Sequence, residues 1–394
     1  VQTCALPISF MTPGRPDDWT NFAPRLGFGY AVSDKTVIRG GGGRYFAENI
    51  TSQVLYALEY RAVVQVDVPN DGRADFATNP FNGPMPTYEQ ALQRFCAYNN
   101  NAPGCLQRAT QELGPPAAYQ ATQYTNQYTI GAQHQFASDM AVSVDYLYNK
   151  GANEKSNFQN INLTYVEATG TNLPYATRAN RPFPGDGLIG QDAYVGWSRL
   201  HSLNMSFNKR MSHKWQGAVN YSLSGLWSAP GAPLQAQPGR EAIQVPFKLA
   251  PDLSGEEVFD AQDQRHRLVA NGIWEVWKGF QLSGYHYWGA GNRASTNYGG
   301  DLRNVGAGGL ALLRPDGTIV PRNSFIQPVQ NRTNVRFQQR FNFPNRVQLD
   351  LLAEAFNLFN MENYLLGTQE SNLQYNKPTS GQNRTMQFGF RVAF

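Results

Sequence analysis

The sequence predicts an all-β protein, an antiparallel, up-and-down transmembrane β-barrel of about eleven strands. Three observations carry this. Apolar residues recur at every second position in one segment after another, the period of a strand with one greasy and one polar face. The connections between those segments alternate between very short and very long. Aromatic residues make up 13% and charged residues only 16%, yet the mean hydropathy is -0.48, so hydrophobic residues are dispersed among uncharged polar ones rather than massed. No uninterrupted apolar run approaches the roughly 18 residues of a membrane helix, which excludes a helical membrane protein.

The strands follow in order. Leu26, Phe28 and Tyr30 alternate with Arg25, Gly27 and Gly29, and a second strand, blurred by glycines, covers Thr36 to Phe46. Tyr128, Ile130, Ala132 and Phe136 alternate with Thr129, Gly131, Gln133 and Gln135, and Val142, Val144, Tyr146 and Tyr148 with Ser143, Asp145 and Asn149. Leu203, Met205, Phe207 and Met211 oppose Asn204, Ser206, Asn208 and Arg210. Gly217, Val219, Tyr221 and Leu223 oppose Ala218, Asn220, Ser222 and Ser224. Leu268, Ala270, Trp274 and Val276 define the next strand, and Phe280 to Ala290 another, its apolar face broken by His286. Val335, Phe337 and Phe341 are followed by Val347, Leu349, Leu351 and Ala353, and the chain closes on Met386, Phe388, Phe390, Val392 and Phe394.

Tight turns are expected at 33–35, 137–139, 212–214, 277–279 and 344–345, and long loops near 47–121, 151–197, 225–262, 291–330 and 361–383. In a meander this places every tight turn on one rim and every long loop on the other. Outer-membrane barrels have that asymmetry, with short periplasmic turns and long extracellular loops. The first and last strands run the same way, so the chain ends at the short-turn rim. Polar side chains would face the lumen. Trp215, Trp274, Phe280, Phe341, Phe343 and Phe394, near strand ends, would suit aromatic girdles.

Chemical motifs are sparse. RGGGGRYF lacks the spacing of a phosphate loop and lies on a strand. His134, His201, His213, His266 and His286 show no metal spacing, and no nucleophile elbow is present, so no enzyme, metal centre or cofactor is expected. The net charge of +4 has no Lys/Arg block, which argues against nucleic acid. Arg336, Arg340, Arg346, Asp350 and Glu354 fall on polar strand faces and are expected to form neutralising lumen ladders. Cys96 and Cys105 lie in the longest loop, where an oxidising exterior favours a small disulfide loop over a metal pair. Tyr88, Phe95 and Tyr98 of that loop are candidates for ligand contact or for packing the loop on itself.

Four stretches taken together, NFAPRLGFGY (Asn21 to Tyr30), KTVIRGGGGRYF (Lys35 to Phe46), AEAFNLFNMENY (Ala353 to Tyr364) and the terminal MQFGFRVAF, resemble the carboxy-terminal barrel of TonB-dependent outer-membrane receptors of the Oar-like type. The resemblance implies a bacterial outer-membrane location and a 22-stranded barrel plugged by an amino-terminal domain. It also implies energised import of a scarce nutrient such as a siderophore, glycan or peptide. Residues 23–394 would be the second half of that barrel. The first half, the plug and the segment engaging the TonB complex would lie elsewhere. The implied partners are outer-membrane lipid and the barrel assembly machinery, which in such proteins reads the terminal strand, here Met386, Phe388, Phe390, Val392 and Phe394. Separately, VQTCALPIS (Val1 to Ser9) resembles a translated sequencing-library adapter. The expectation is therefore read-through over 1–9 and a coil remnant over 10–22. The competing expectations are a passive porin or adhesive barrel, and a soluble secreted β-rich protein with lectin-like loops.

Overall fold

The computed structural model describes residues 19–47, 68, 70–93, 108–113, 121–158, 160, 162–166, 168–169, 171–229, 257–302, 304 and 312–394. Eleven long strands pair in strict chain order. They are β1 (Arg25–Ser33), β2 (Thr36–Phe46), β3 (Tyr124–Ala137), β4 (Met140–Phe158), β5 (Asp186–Ser212), β6 (Trp215–Ala229), β7 (His266–Trp277), β8 (Phe280–Gly289), β9 (Gln330–Asn342), β10 (Gln348–Phe356) and β11 (Thr385–Ala393). Each adjacent pair is antiparallel, which makes the sheet an up-and-down meander. Among the described residues β1 pairs only with β2 and β11 only with β10, so the sheet has two open edges.

The register carries one apolar face across all eleven strands. One row runs Phe28, Gly40, Ile130, Tyr146, Leu203, Leu223. Another runs Trp274, Leu282, Phe337, Ala353, Phe388. These side chains are not covered by protein: Phe28 is 57% exposed and Phe388 79%. The larger buried apolar residues, such as Leu163, Phe183, Ile189 and Val320, lie toward the loop rim or in the loops instead. An apolar sheet face of this extent is far beyond what a soluble monomer leaves in water, whereas in a bilayer hydrocarbon covers it.

Two of the tight turns are built for a twisted ladder. A two-residue hairpin with positive φ at both central residues matches the right-handed twist of its strands. His213 and Lys214 supply φ 50° and 66°, and Lys278 and Gly279 supply 33° and 81°. At the first of these turns Lys209, on the outward face of β5, curls down to the rim and is almost completely buried. Its ammonium donates to Asp139 Oδ2 at 2.8 Å and to the carbonyls of Arg210 and Ser212, and it sits over the Trp215 ring. That hydrogen bond, then one from Ser212, brings the Asp139 carboxyl down to about 2.

The structure departs from the sequence expectation in three places. Pairing of β4 with β5 continues to Phe158 opposite Gln191, where the sequence placed a loop over 151–197. Beyond the bilayer a strand no longer needs an unbroken apolar face, so GANEKSN keeps the ladder without apolar alternation. A short strand, Arg108–Leu113, pairs parallel with β5 from Asp186 to Gln191, an addition to the meander made from within the longest loop. Arg346, expected on a strand, occupies the turn before β10 with φ 63°.

Candidate functional site: the lumen wall and the loop rim

The face opposite the apolar one is the candidate lumen wall. Many of its side chains are polar and bonded to one another. Ser143 and Ser206 share a hydrogen bond of 2.7 Å across β4 and β5, and Ser202 and Ser222 both donate to Asn204 Oδ1. Charges are paired across strands. Arg340 grips Asp350 through two bonds of 2.7 and 2.9 Å, and Arg336 lies 3.7 Å from Glu354. In the same rows, β11 sets Arg391 opposite Asp350 and Gln387 opposite Glu354.

A third pair explains one glycine. Arg39 on β2 reaches Asp145 on β4, two strands away, at 3.1 Å, passing over Gly131 of β3 that lies between them in register. A Cβ at Gly131 would overlap the Asp145 carboxylate. The glycine run of RGGGGRYF has an equivalent use on the outward face, where the Phe28 and Tyr128 rings lie over Gly40 and Gly42.

At the long-loop rim, separate loops are tied into one surface. Arg314 clamps Glu370 with bonds of 2.6 and 2.8 Å, joining the 291–330 and 361–383 loops, and this hydrogen bonding lowers the Glu370 carboxyl below its usual range. Gln327 exchanges two hydrogen bonds with the backbone of Leu366. In AEAFNLFNMENY, Asn357, Asn360 and Asn363 all take positive φ, a conformation asparagine tolerates. Their side chains then bond the backbone. Asn357 reaches Met361 and Gln382, Asn360 receives the Arg384 N–H, and Asn363 bridges both backbone groups of Asn331. Within the 151–197 loop, Asn162 is fully buried and donates from one amide to the carbonyls of Phe183, Asp186 and Gly187.

The structure brings four of the five expected lumen charges together, as the pairs Arg340–Asp350 and Arg336–Glu354, while Arg346 stays apart in its turn. Tyr88 opens the helix α1 (Tyr88–Gln93) and is exposed, the helix being capped by reciprocal bonds between Thr87 and Gln90. Phe95, Tyr98, Cys96 and Cys105 lie outside the described residues, as do 1–18. Met386, Phe388, Phe390, Val392 and Phe394 of the terminal segment stand exposed on the outer side of the last strand.

Sequence reasoning treated the histidines as scattered. The sheet puts His134, His201, His266 and His286 on the outward face, each bonded through Nδ1 to a hydroxyl, from Thr36 (2.8 Å), Tyr146 (2.6 Å), Tyr221 (2.7 Å) and Thr333 (2.9 Å) respectively. Hydrocarbon offers an imidazole no partner, so the neighbouring strand supplies one. Only the cross-strand register reveals this. Among the described residues no group of three His, Cys, Asp or Glu side chains could hold a metal ion. A concavity floored by Gly217, Gly272 and Gly284 and flanked by Trp215 and Trp274 opens on the outward face, so it belongs to the lipid-facing wall and not to the lumen.

Comparison with known proteins agrees with this geometry. A family model described as an outer membrane beta barrel domain matches residues 9–318. No curated protein sequence matches the chain. Among solved structures, the outer membrane transporter YddB from Escherichia coli is similar with a TM-score of 0.53 at 12% identity, over 94% of this chain and 40% of that one. A variant of the ferric enterobactin receptor from Pseudomonas aeruginosa gives a TM-score of 0.51 at 10% identity, over 95% and 40%. Another variant of that receptor, in complex with enterobactin, gives 0.51 at 9%, again over 95% and 40%. This chain therefore spans 40% of the length of these structures.

Proposed function

The chain belongs to the outer membrane β-barrel domain family and resides in the bacterial outer membrane; from that premise we propose that it is the carboxy-terminal half of the barrel of a TonB-dependent receptor. It would import a scarce nutrient such as a siderophore, glycan or peptide. The observation that carries the reading is the pairing of a charge-neutralised lumen wall with loops interlocked at one rim. A passive pore gains nothing from tying its loops into one surface, whereas a receptor needs a shaped rim. The Oar-like motifs support the subtype, and residues 1–9 fit adapter read-through.

Topology supports a partner for this half. Eleven is odd, so β1 and β11 run in the same direction. A single copy closing on itself, or two copies side by side, would have to join those edges in parallel. An all-antiparallel wall closes only with a complement of an odd number of strands, which an eleven-strand first half provides. Cys96 and Cys105 would close a small disulfide loop on the receptor rim, and Tyr88, Phe95 and Tyr98 would meet the ligand there. The terminal strand would address the chain to the assembly machinery.

The test is uptake by cells expressing the complete gene, with ferric siderophores, glycans and peptides as labelled cargo. Import is expected to stop when the inner-membrane proton gradient is collapsed. Uptake that ignores the gradient, or steady ion conductance through the purified protein, would replace the importer with a porin.

A further inference from the structure

Near the long-loop rim the outward face changes character. The register aligns Arg44 of β2, Asn126 of β3, Lys150 of β4, Arg199 of β5 and Trp227 of β6, and the short strand Val258–Phe259 adds Phe259 beside Trp227. One step toward the membrane lies a row holding Tyr128, Tyr148 and His201, and one step the other way lie Phe46 and Tyr124. A cationic row is thus enclosed by aromatic rows on a face that is otherwise apolar.

The cations differ in what they already hold. Arg199 stacks over Trp227 at 5.0 Å and pairs with Glu257 at 2.7 Å. Arg44 stacks over Tyr124 at 4.3 Å and spends only its Nε, on Asn126 Oδ1 at 3.0 Å, which leaves the outer guanidinium nitrogens and the Asn126 amide group as donors. Lys150 is exposed. Neither Arg44 nor Lys150 has a carboxylate partner among the described residues, and two strand spacings, about 10 Å, separate them. At the opposite rim the outward cation Lys209 is closed onto Asp139 and has nothing to offer.

Aromatic rows on a lipid-facing barrel mark the headgroup level, and cations held there attract anionic lipids. We propose that this row binds the phosphate of an anionic lipid headgroup in the leaflet at the long-loop rim. Arg44 and Lys150 supply the charge, Asn126 supplies a neutral donor between them, and the acyl chains run down over Tyr128 and Tyr148. The inference rests on the outward face meeting lipid, not on import.

Native mass spectrometry of the complete protein in maltoside micelles, titrated with dioleoyl phosphatidic acid or dioleoyl phosphatidylcholine, tests it. The wild type should retain phosphatidic acid in preference to phosphatidylcholine. Arg44→Gln with Lys150→Gln should weaken phosphatidic acid about 30-fold and leave phosphatidylcholine unchanged. Lys35→Gln with Lys278→Gln, at the short-turn rim, should change neither. Equal retention of the two lipids, undiminished binding by the Arg44/Lys150 variant, or displacement by an equimolar amount of inorganic phosphate would overturn the proposal. Should that variant fail to fold, the wild type still decides: phosphatidic acid adducts must fall with added sodium chloride while phosphatidylcholine adducts do not, and salt-independent adducts overturn it.

Discussion

Replacing Phe337 by Arg, and separately its neighbour Gln338 by Arg, asks the two faces of one strand opposite questions. Phe337 sits on the outward face between Leu282 and Ala353, 42% exposed, with its ring 6.2 Å from that of Phe280. It lies five residues from the end of β9 at Asn342. At a rise of about 3.4 Å per residue and a tilt near 40–45°, that is about 12 Å above the short-turn rim, close to the middle of a hydrocarbon layer roughly 25–30 Å thick. A cation there costs about 2–4 kcal/mol, and losing the ring pair adds about 1 kcal/mol. Gln338 shares its row with Gln281 and Leu352 on the lumen side, where an added charge meets water and should cost under about 1 kcal/mol. The assay is urea unfolding of the complete protein folded into phosphatidylcholine vesicles, followed by tryptophan fluorescence. Phe337→Arg should lose at least 2 kcal/mol more than Gln338→Arg. Equal losses, or a larger loss at Gln338, would refute the assignment of faces.

The remaining expectations are narrower. The Asp139 carboxyl is depressed to about 2 by Lys209 and Ser212, so its contribution is complete above the unfolded value near 3.8 and disappears as the pH falls through 2; an acid titration of stability should flatten over that window in Asp139→Asn. Gly131→Ala should break the Arg39–Asp145 pair by overlap, and because that pair is partly exposed the coupling in a double-mutant cycle with Asp145→Asn should be below about 1 kcal/mol. Asn357→Ala removes the side chain that ties β10 to Met361 and Gln382, so amide exchange across 357–384 should accelerate while β4 and β5 stay protected. Deleting Phe394 should reduce the amount of assembled barrel in cells without changing transcript or synthesis rate.

Strand identity was legible because alternation is a local property: each of β3 to β11 except β8, whose apolar face His286 interrupts, shows it within a few residues. The rim asymmetry was legible for the same reason, since turn length needs no knowledge of what lies across the sheet. What depends on register between strands joined by long loops was not. Tyr146 and His201 are 55 residues apart and meet only because β4 and β5 pair with a particular offset, as do Arg44, Lys150 and Arg199. The extension of β4 and β5 past the rim was missed because GANEKSN carries no apolar period and a ladder outside the hydrocarbon needs none. Of the candidate site, the pairs Arg336–Glu354 and Arg340–Asp350 were foreseeable because only a short turn fixes the offset between β9 and β10. The clamp between Arg314 and Glu370, held by two long loops, was not.

The most direct test of the central claim is accessibility of nitroxide labels on alternate faces of the same strands. Labels at Phe337, Leu349 and Phe388 should relax with oxygen, which partitions into hydrocarbon, and stay shielded from a water-soluble nickel chelate. Labels at Gln338, Asp350 and Gln387 should show the reverse. Nickel access at the first set, or shielding of that set from both reagents, would mean that water or packed protein, not lipid, covers the apolar face.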